Sequence, residues 1–302
     1  MSRYAIAIAF ASIMAIAAQA APPAAKHTPT PAEAWKASLA DDNADWATKK
    51  HAILKINDAA YVHAGEFVSL VGDPKNPDSW KWAKGKQPGA VVLATFAGGK
   101  PLVTKGGTPI APEALAKGFD IVAGIDVAGM LAQMSPGETG LRIIVFNQQN
   151  KIAKAFKGVD YFAYDPAYRV NAKFVPDPKM TPRIFRTSRG LDKQFYHAGD
   201  ATFTLQGKPV TLPLYAETNV APKVGGMTSF FTDELTGKGA YHAGRYVDVE
   251  KFAKFPPAAV TIDFNYAYNP NCARSPFYNC PFAVDHIPLA VNAGEKDPHI
   301  GH

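Results

Sequence analysis

Residues 201–212 read Ala-Thr-Phe-Thr-Leu-Gln-Gly-Lys-Pro-Val-Thr-Leu, and they decide the fold class. Apolar and polar residues alternate from Ala201 to Gln206, the chain turns at Gly207-Lys208, and Val210-Thr211-Leu212 answers. A period of two puts the polar side chains on one face and the apolar ones on the other. The stretch reads as a β-hairpin with one wet face, the form that antiparallel sheets favour.

Downstream of this hairpin, Met227 to Thr232, Tyr241 to Val249 and Val260 to Phe264 read as three more strands in short order. Closely spaced antiparallel strands close most readily into a barrel or a sandwich. Upstream, Asp165-Pro166-Ala167 makes a turn and Arg169 to Phe174 resumes strand alternation. The Pro-rich stretch from Pro176 to Pro182 reads as a connector at or near a domain boundary.

Between Ala64 and Asn150 the pattern is again one of short strands: Phe67 to Val71, Val91 to Phe96, Phe119 to Ile125 and Leu141 to Phe146. Gly72 to Asp78 is dense in turn formers, and its aspartates lack the spacing of an EF-hand calcium loop. Gly98-Gly99 and Gly106-Gly107 are hairpin turns without the spacing of a phosphate loop. Ala111 to Lys117 fits one or two helical turns. No chemistry is legible in this half.

Nearer the start, Thr30-Pro31-Ala32-Glu33 is a capping box with proline in the first helical turn. A short helix carrying Trp35 and Leu39 on one face should follow, then a second amphipathic piece from Trp46 toward Ile56. Both tryptophans read as core packing rather than as a cofactor box. Ala21 to Pro29 is an Ala/Pro-rich lead-in. Before it, Arg3, the apolar run from Ala5 to Ala18 and the small-x-small Ala18-Gln19-Ala20 have the form of a signal peptide cut after Ala20. That run is shorter than the roughly 20 residues a spanning helix needs. The expectation is a periplasmic or secreted protein with no membrane span.

The whole then reads as mainly β: a signal peptide at 1–20, a flexible lead-in and helical segment at 21–63, a β-rich domain at 64–155, and an antiparallel β domain, barrel or sandwich, at 156–302. The formal net charge is +6, and the Lys and Arg residues are scattered. Without a basic run interleaved with aromatics, nucleic-acid binding has no footprint. The mild basicity suits solubility, with weak attraction to anionic surfaces as the alternative.

Chemistry-bearing residues crowd between Asp233 and Lys296. The blocks are Tyr161-Phe162 with Asp165 to Val170, then Phe231, Asp233, Gly237, Tyr241 and Gly244-Arg245-Tyr246. They continue with Asp263-Phe264-Asn265, Ala267-Tyr268-Asn269-Pro270, Cys272, Cys280-Pro281 and Ala293-Gly294-Glu295-Lys296. In these blocks, over roughly Phe156 to Lys296, the chain resembles the bacterial and archaeal family known as domain of unknown function 1684. Phe282 to His286 departs from the Pro-rich run and Asn-Arg pair usual there. The resemblance implies no activity, so the residues must argue for themselves.

Asp233, Tyr241, Arg245, Asp263, Asn265, Tyr268, Asn269 and Glu295 are the ligand-binding candidates, since their strands could converge at one end of a small barrel. Acids near an arginine and two amides could orient a small polar ligand, hold an ion or run general acid–base chemistry. The same residues could equally form a buried structural network, with Arg245 paired to an acid. Cys272 and Cys280, in an exported chain, are expected to form a disulfide. The rival is a metal site with His286, whose spacing is unlike that of zinc sites. No nucleophile elbow, metalloprotease helix, heme-attachment or dinucleotide motif occurs. Two readings stand: a small-ligand or metal-ion binding or accessory protein with its site in the C-terminal domain, or an unfamiliar enzyme, a hydrolase for instance, with acid–base residues beside Arg245. No cofactor is indicated.

Overall fold

The computed structural model describes residues 28–298, so the signal-type segment and His299 to His302 lie outside the described residues. Strand accounts for 47% and helix for 16%, which makes the protein mainly β as expected. The helix α1 (Pro31–Ala47) starts with the capping box: the Thr30 hydroxyl accepts the Glu33 N–H, and the Glu33 carboxylate accepts the Thr30 N–H at 2.7 Å. Trp35 and Trp46 lie on this one helix, not on two pieces, because no glycine or proline interrupts residues 32–47. Its two ends are tied to the far half of the chain. The Trp35 indole donates to the Asn265 carbonyl at 2.8 Å, and the Arg274 guanidinium covers the Trp46 ring at 3.9 Å.

Strand structure begins sooner than expected, at β1 (Ile56–Val62). It continues through β2 (Phe67–Asp73), β3 (Asn76–Lys84), β4 (Val92–Ala97), β5 (Lys100–Lys105), β6 (Thr108–Pro109), β7 (Phe119–Val122), β8 (Ile125–Ser135) and β9 (Glu138–Asn147). One sheet runs β1-β9-β8-β7 and the other β3-β2-β4-β5-β6. Leu70, Trp80 and Val92 from the second meet Val127, Leu141 and Ile143 from the first in one fully buried core. The segment Gly72 to Asp78 is less of a loop than its composition suggests. Only Pro74 and Lys75 turn, and the polar residues after them belong to β3.

The C-terminal half is one seven-stranded sheet: β10 (Arg169–Phe185), β11 (Lys193–Leu205), β12 (Lys208–Ala216), β13 (Thr228–Asp233), β14 (Arg245–Asp248), β15 (Ala259–Asp263) and β16 (Asp285–Ile287). The order is β14-β13-β12-β11-β10-β15, with β16 added parallel to β13. This antiparallel sheet curls into a half-barrel, and Val249 just past β14 bridges Ile262 of β15. The diagnostic hairpin is in place: Ala201, Phe203 and Leu205 are buried, while Thr202, Thr204 and Gln206 are exposed. Its turn is Gln206-Gly207, both at positive φ, one residue earlier than read from the sequence.

Pro176 to Pro182 is not a connector. It lies inside β10, where the pairing to β11 breaks register between Pro176 and Thr181. A bulge leaves backbone unpaired, which is where a strand tolerates residues without an N–H. The strand expected over Tyr241 to Val249 is also shorter, because residues 234–244 are taken up by turns. No described helix is long and apolar enough to cross a membrane.

Candidate functional site

The sheet's curl divides its side chains between two environments. On the inner face, Asp233 at the end of β13 and Arg245 at the start of β14 form an ion pair at 2.8 Å, with side chains 0% and 1% exposed. Arg245 also donates to the carbonyls of Val291 (2.9 Å), Ala293 and Glu295 (3.3 Å), and its plane lies over Phe231 and Phe162. Asp233 accepts a further bond from the Val291 N–H at 3.0 Å. The guanidinium therefore stitches the final segment, residues 291–295, to the half-barrel.

Glu295 is the centre of a second buried pair. Its carboxylate takes both oxygens to Arg274 at 2.5 Å, one to the Tyr161 hydroxyl at 3.1 Å and one to the Asn269 N–H at 2.8 Å. Arg274 donates onward to the Asn269 carbonyl, and Asn269 donates to that of Lys296 at 2.7 Å. Gly294 makes the approach possible. It sits at φ 79°, and a Cβ there would collide with the Ala267 carbonyl and Cβ.

Asp263 and Asn265 meet by capping. The strand ends at Asp263, whose carboxylate accepts the Asn265 N–H at 3.0 Å and its amide at 2.8 Å. Asn265 also exchanges two bonds with the Asp165 backbone. Phe264 points into the core, with no exposure. Of the eight candidates, Asp233, Arg245, Asp263, Asn265, Asn269 and Glu295 are thus at most 4% exposed and bonded to protein groups. Tyr241 is buried beside Cys272, where burial and then that thiol push its phenol up to about 12. Tyr268 alone among them borders open space.

The expected disulfide is corrected: Cys272 and Cys280 are free thiols. The Cys280 sulfur accepts the Cys272 N–H at 3.2 Å, so the loop closes by a hydrogen bond. The expected bond rested more on compartment than on spacing, while the loop between the cysteines serves another purpose. It carries Phe277 and Tyr278 into an apolar cluster with Trp46, Ile144 and Phe146 at the seam between the halves. Hydrogen bonding from Cys280 favours the thiolate of Cys272, and burial opposes it. Among the described residues, no group of three or more His, Cys, Asp or Glu stands together to hold a metal ion.

On the outer face of the half-barrel, Phe185, Phe195, Tyr215, Phe230 and Tyr246 form a separate aromatic cluster. Phe230 packs on Phe185 at 4.9 Å and on Tyr246 at 4.7 Å, and Tyr246 on Tyr268 at 5.7 Å. Burial first, then nearby acids or thiols, holds the phenols of Tyr215, Tyr246 and Tyr268 well above their ordinary value, so each keeps its proton. Phe195, Tyr215, Phe230, Tyr246 and Tyr268 floor a cleft of about 1260 Å³. Its opposite wall is the N-terminal sheet, where Met130 and Leu131 of β8 are 51% and 58% exposed.

Two cations, Arg142 and Lys193, line the cleft. Arg142 of β9 is 6% exposed, stacks on Tyr278 at 4.0 Å and donates once, to the Phe277 carbonyl at 3.1 Å. Its buried Nε has no partner, and among the described residues it forms no ion pair. Lys193, at the start of β11, lines the same cleft, and burial pushes its ammonium below the usual lysine range. Neither residue stood out in the sequence. The available signal was a lone arginine inside the apolar run Leu141 to Phe146.

Residues 154–296 match the model of the family described as Protein of unknown function (DUF1684). The matched region is the half-barrel with its closing segment, and it nearly coincides with the resemblance read from the sequence. Arg142, Met130 and Leu131 lie outside it. A solution NMR structure of an uncharacterized protein from Haloarcula marismortui is similar, at 29% identity, over 47% of this chain and 78% of its own, with a TM-score of 0.40. No curated protein matches the chain.

Proposed function

We propose that this is an exported small-ligand-binding protein whose site is the aromatic cleft between the half-barrel and the N-terminal sheet. The observation that carries the binding reading is the aromatic lining. Four of the five clustered rings, Phe195, Tyr215, Phe230 and Tyr246, border a cavity of about 1260 Å³ outside the half-barrel core, while their mutual packing leaves each at most 8% exposed. Ligand sites are concave, mostly apolar and marked by a few convergent polar groups, and this cleft has that make-up. The sealed acids offer a ligand nothing comparable, since their oxygens are engaged by Arg245, Arg274 and backbone amides. The metal-ion form of the reading is not carried forward.

Titration with phenylnaphthylamine, a neutral apolar fluorophore, tests the site. Saturable one-to-one enhancement is expected, weakened by Leu131→Asp, a substitution at an exposed position that should leave the fold intact. Enhancement that never saturates, or that ignores Leu131→Asp, rejects the cleft. Export rests on the pattern from Arg3 to Ala20, and predicts a mature terminus near Ala21 by mass spectrometry. An intact Met1 on the major soluble species would reject it.

A further inference from the structure

Building on the cleft reading, we infer that the ligand is a small organic anion: an aromatic or apolar body on the tyrosine and phenylalanine floor, with a carboxylate, sulfonate or phosphate head between Arg142 and Lys193. The inference comes from an imbalance in how the protein treats its buried guanidinium groups. Arg245 and Arg274 are each 1% exposed in their side chains, and each meets a carboxylate. Arg142 is buried nearly as deeply, yet it meets two aromatic rings and one carbonyl and, among the described residues, no carboxylate; its unpartnered Nε is a feature it shares with Arg274. A buried charge is strongly disfavoured unless paired and hydrogen-bonded, so a partner of opposite sign is the missing component.

Lys193 sharpens the location. It lies close enough to Arg142 for the two like charges to repel, and both line the cleft. Two adjacent cations beside one cavity are mutually costly when empty and jointly favourable to an anion. Of the acids that border the cleft, exposed Glu217 just past β12 offsets part of the Lys193 charge, and exposed Asp248 accepts the Tyr268 hydroxyl at 3.3 Å; neither forms an ion pair with Arg142. A planar guanidinium with a free N–H suits an oxyanion, and aromatic rings 4.7–5.9 Å apart suit a flat apolar body.

The test pairs two fluorophores of similar body and different head. Anilinonaphthalene sulfonate carries an anionic group, and phenylnaphthylamine carries none. Wild-type protein should bind both with one-to-one saturation, the sulfonate more tightly. Arg142→Gln should weaken the sulfonate roughly ten- to hundredfold, the range of one lost charged hydrogen bond, while leaving phenylnaphthylamine within about twofold. Lys193→Gln should act in the same direction and keeps the test decisive if the arginine variant does not fold. Equal weakening of both probes, or no change for either, in a folded variant overturns the anion assignment while leaving the cleft standing. Failure of both probes to bind the wild type, or indifference of both to Leu131→Asp, overturns the cleft and the anion together.

Discussion

The two faces of the half-barrel handle charge in opposite ways. Inside, Arg245 has a carboxylate and three carbonyls and Arg274 a carboxylate and one carbonyl, and the result is a closed network joining residues 160–165, 231–245 and 263–296. Outside, Arg142 borders the cleft with no acid paired to it and Lys193 has only exposed Glu217 nearby, above a floor of packed aromatic rings. The first arrangement is what a protein builds to hold its own chain ends. The second is incomplete without something else. Polar residue types alone do not separate the two cases, because the same arginine, acid and amide vocabulary serves both.

Breaking the inner network should have the largest effect. Arg245→Ala leaves Asp233 buried and unpaired and should cost about 3–5 kcal/mol. Lysine should recover only part of this, since a single ammonium cannot reach three carbonyls and a carboxylate. Thermal melts measure it. Arg142→Gln, in contrast, loses one carbonyl bond and its stacking but also relieves an unpaired buried charge, and should stay within about 1 kcal/mol of wild type. Comparable losses for the two arginines would erase the distinction.

Gly294→Ala should come next, destabilising by about 2–3 kcal/mol, because the residue holds positive φ while its missing Cβ makes room for the Ala267 carbonyl. An unchanged melting temperature would show that the closing segment is looser than its hydrogen bonds imply.

Asp285 on β16 gives a smaller, pH-dependent effect. Burial pushes its carboxyl up to about 6, the Tyr215 hydroxyl offsets this only partly, and one oxygen has no partner. Its folded-state value lies above its unfolded value, so the folded state binds the proton more tightly. Stability from this group is present below about pH 4 and is lost as pH rises toward 6. Asp285→Asn should therefore stabilise at pH 7 by about 1 kcal/mol, allowing for solvent screening, and should have no such benefit at pH 4. Equal effects at both pH values would contradict this.

The least disruptive prediction concerns Lys193. Burial lowers its ammonium, Glu217 and the Cys280 thiol oppose the shift, and Arg142 adds to it. Sulfonate-probe affinity should therefore decline with rising pH earlier than an ordinary lysine would allow, and Lys193→Gln should flatten that decline. A profile identical in wild type and variant would remove Lys193 from the site.

How much of this was legible in the sequence follows the same division. The hairpin at 201–212, most of the strands and the Arg245–Asp233 proximity follow from alternation and hairpin logic, which are local. The long β10 was not legible, because its prolines sit at a bulge that only the paired strand reveals. The partner of Glu295 was missed because Arg274 lies in an irregular loop with no period to read. The cleft was missed because it belongs to neither half alone. The one local sign of it is Arg142, a long cation inside the apolar run Leu141 to Phe146. The two sulfurs do stand together, hydrogen-bonded to each other, but as free thiols, and neither compartment nor spacing in the sequence distinguishes that from a bond.

The central claim is that Arg142 awaits an anion, and one measurement meets it directly. A crystal structure of the protein with anilinonaphthalene sulfonate should place a sulfonate oxygen within about 3 Å of Arg142 Nε, near Lys193, with the rings over Phe230 and Tyr246. A probe bound elsewhere, or Arg142 Nε found satisfied by a carboxylate of the protein itself, would contradict it.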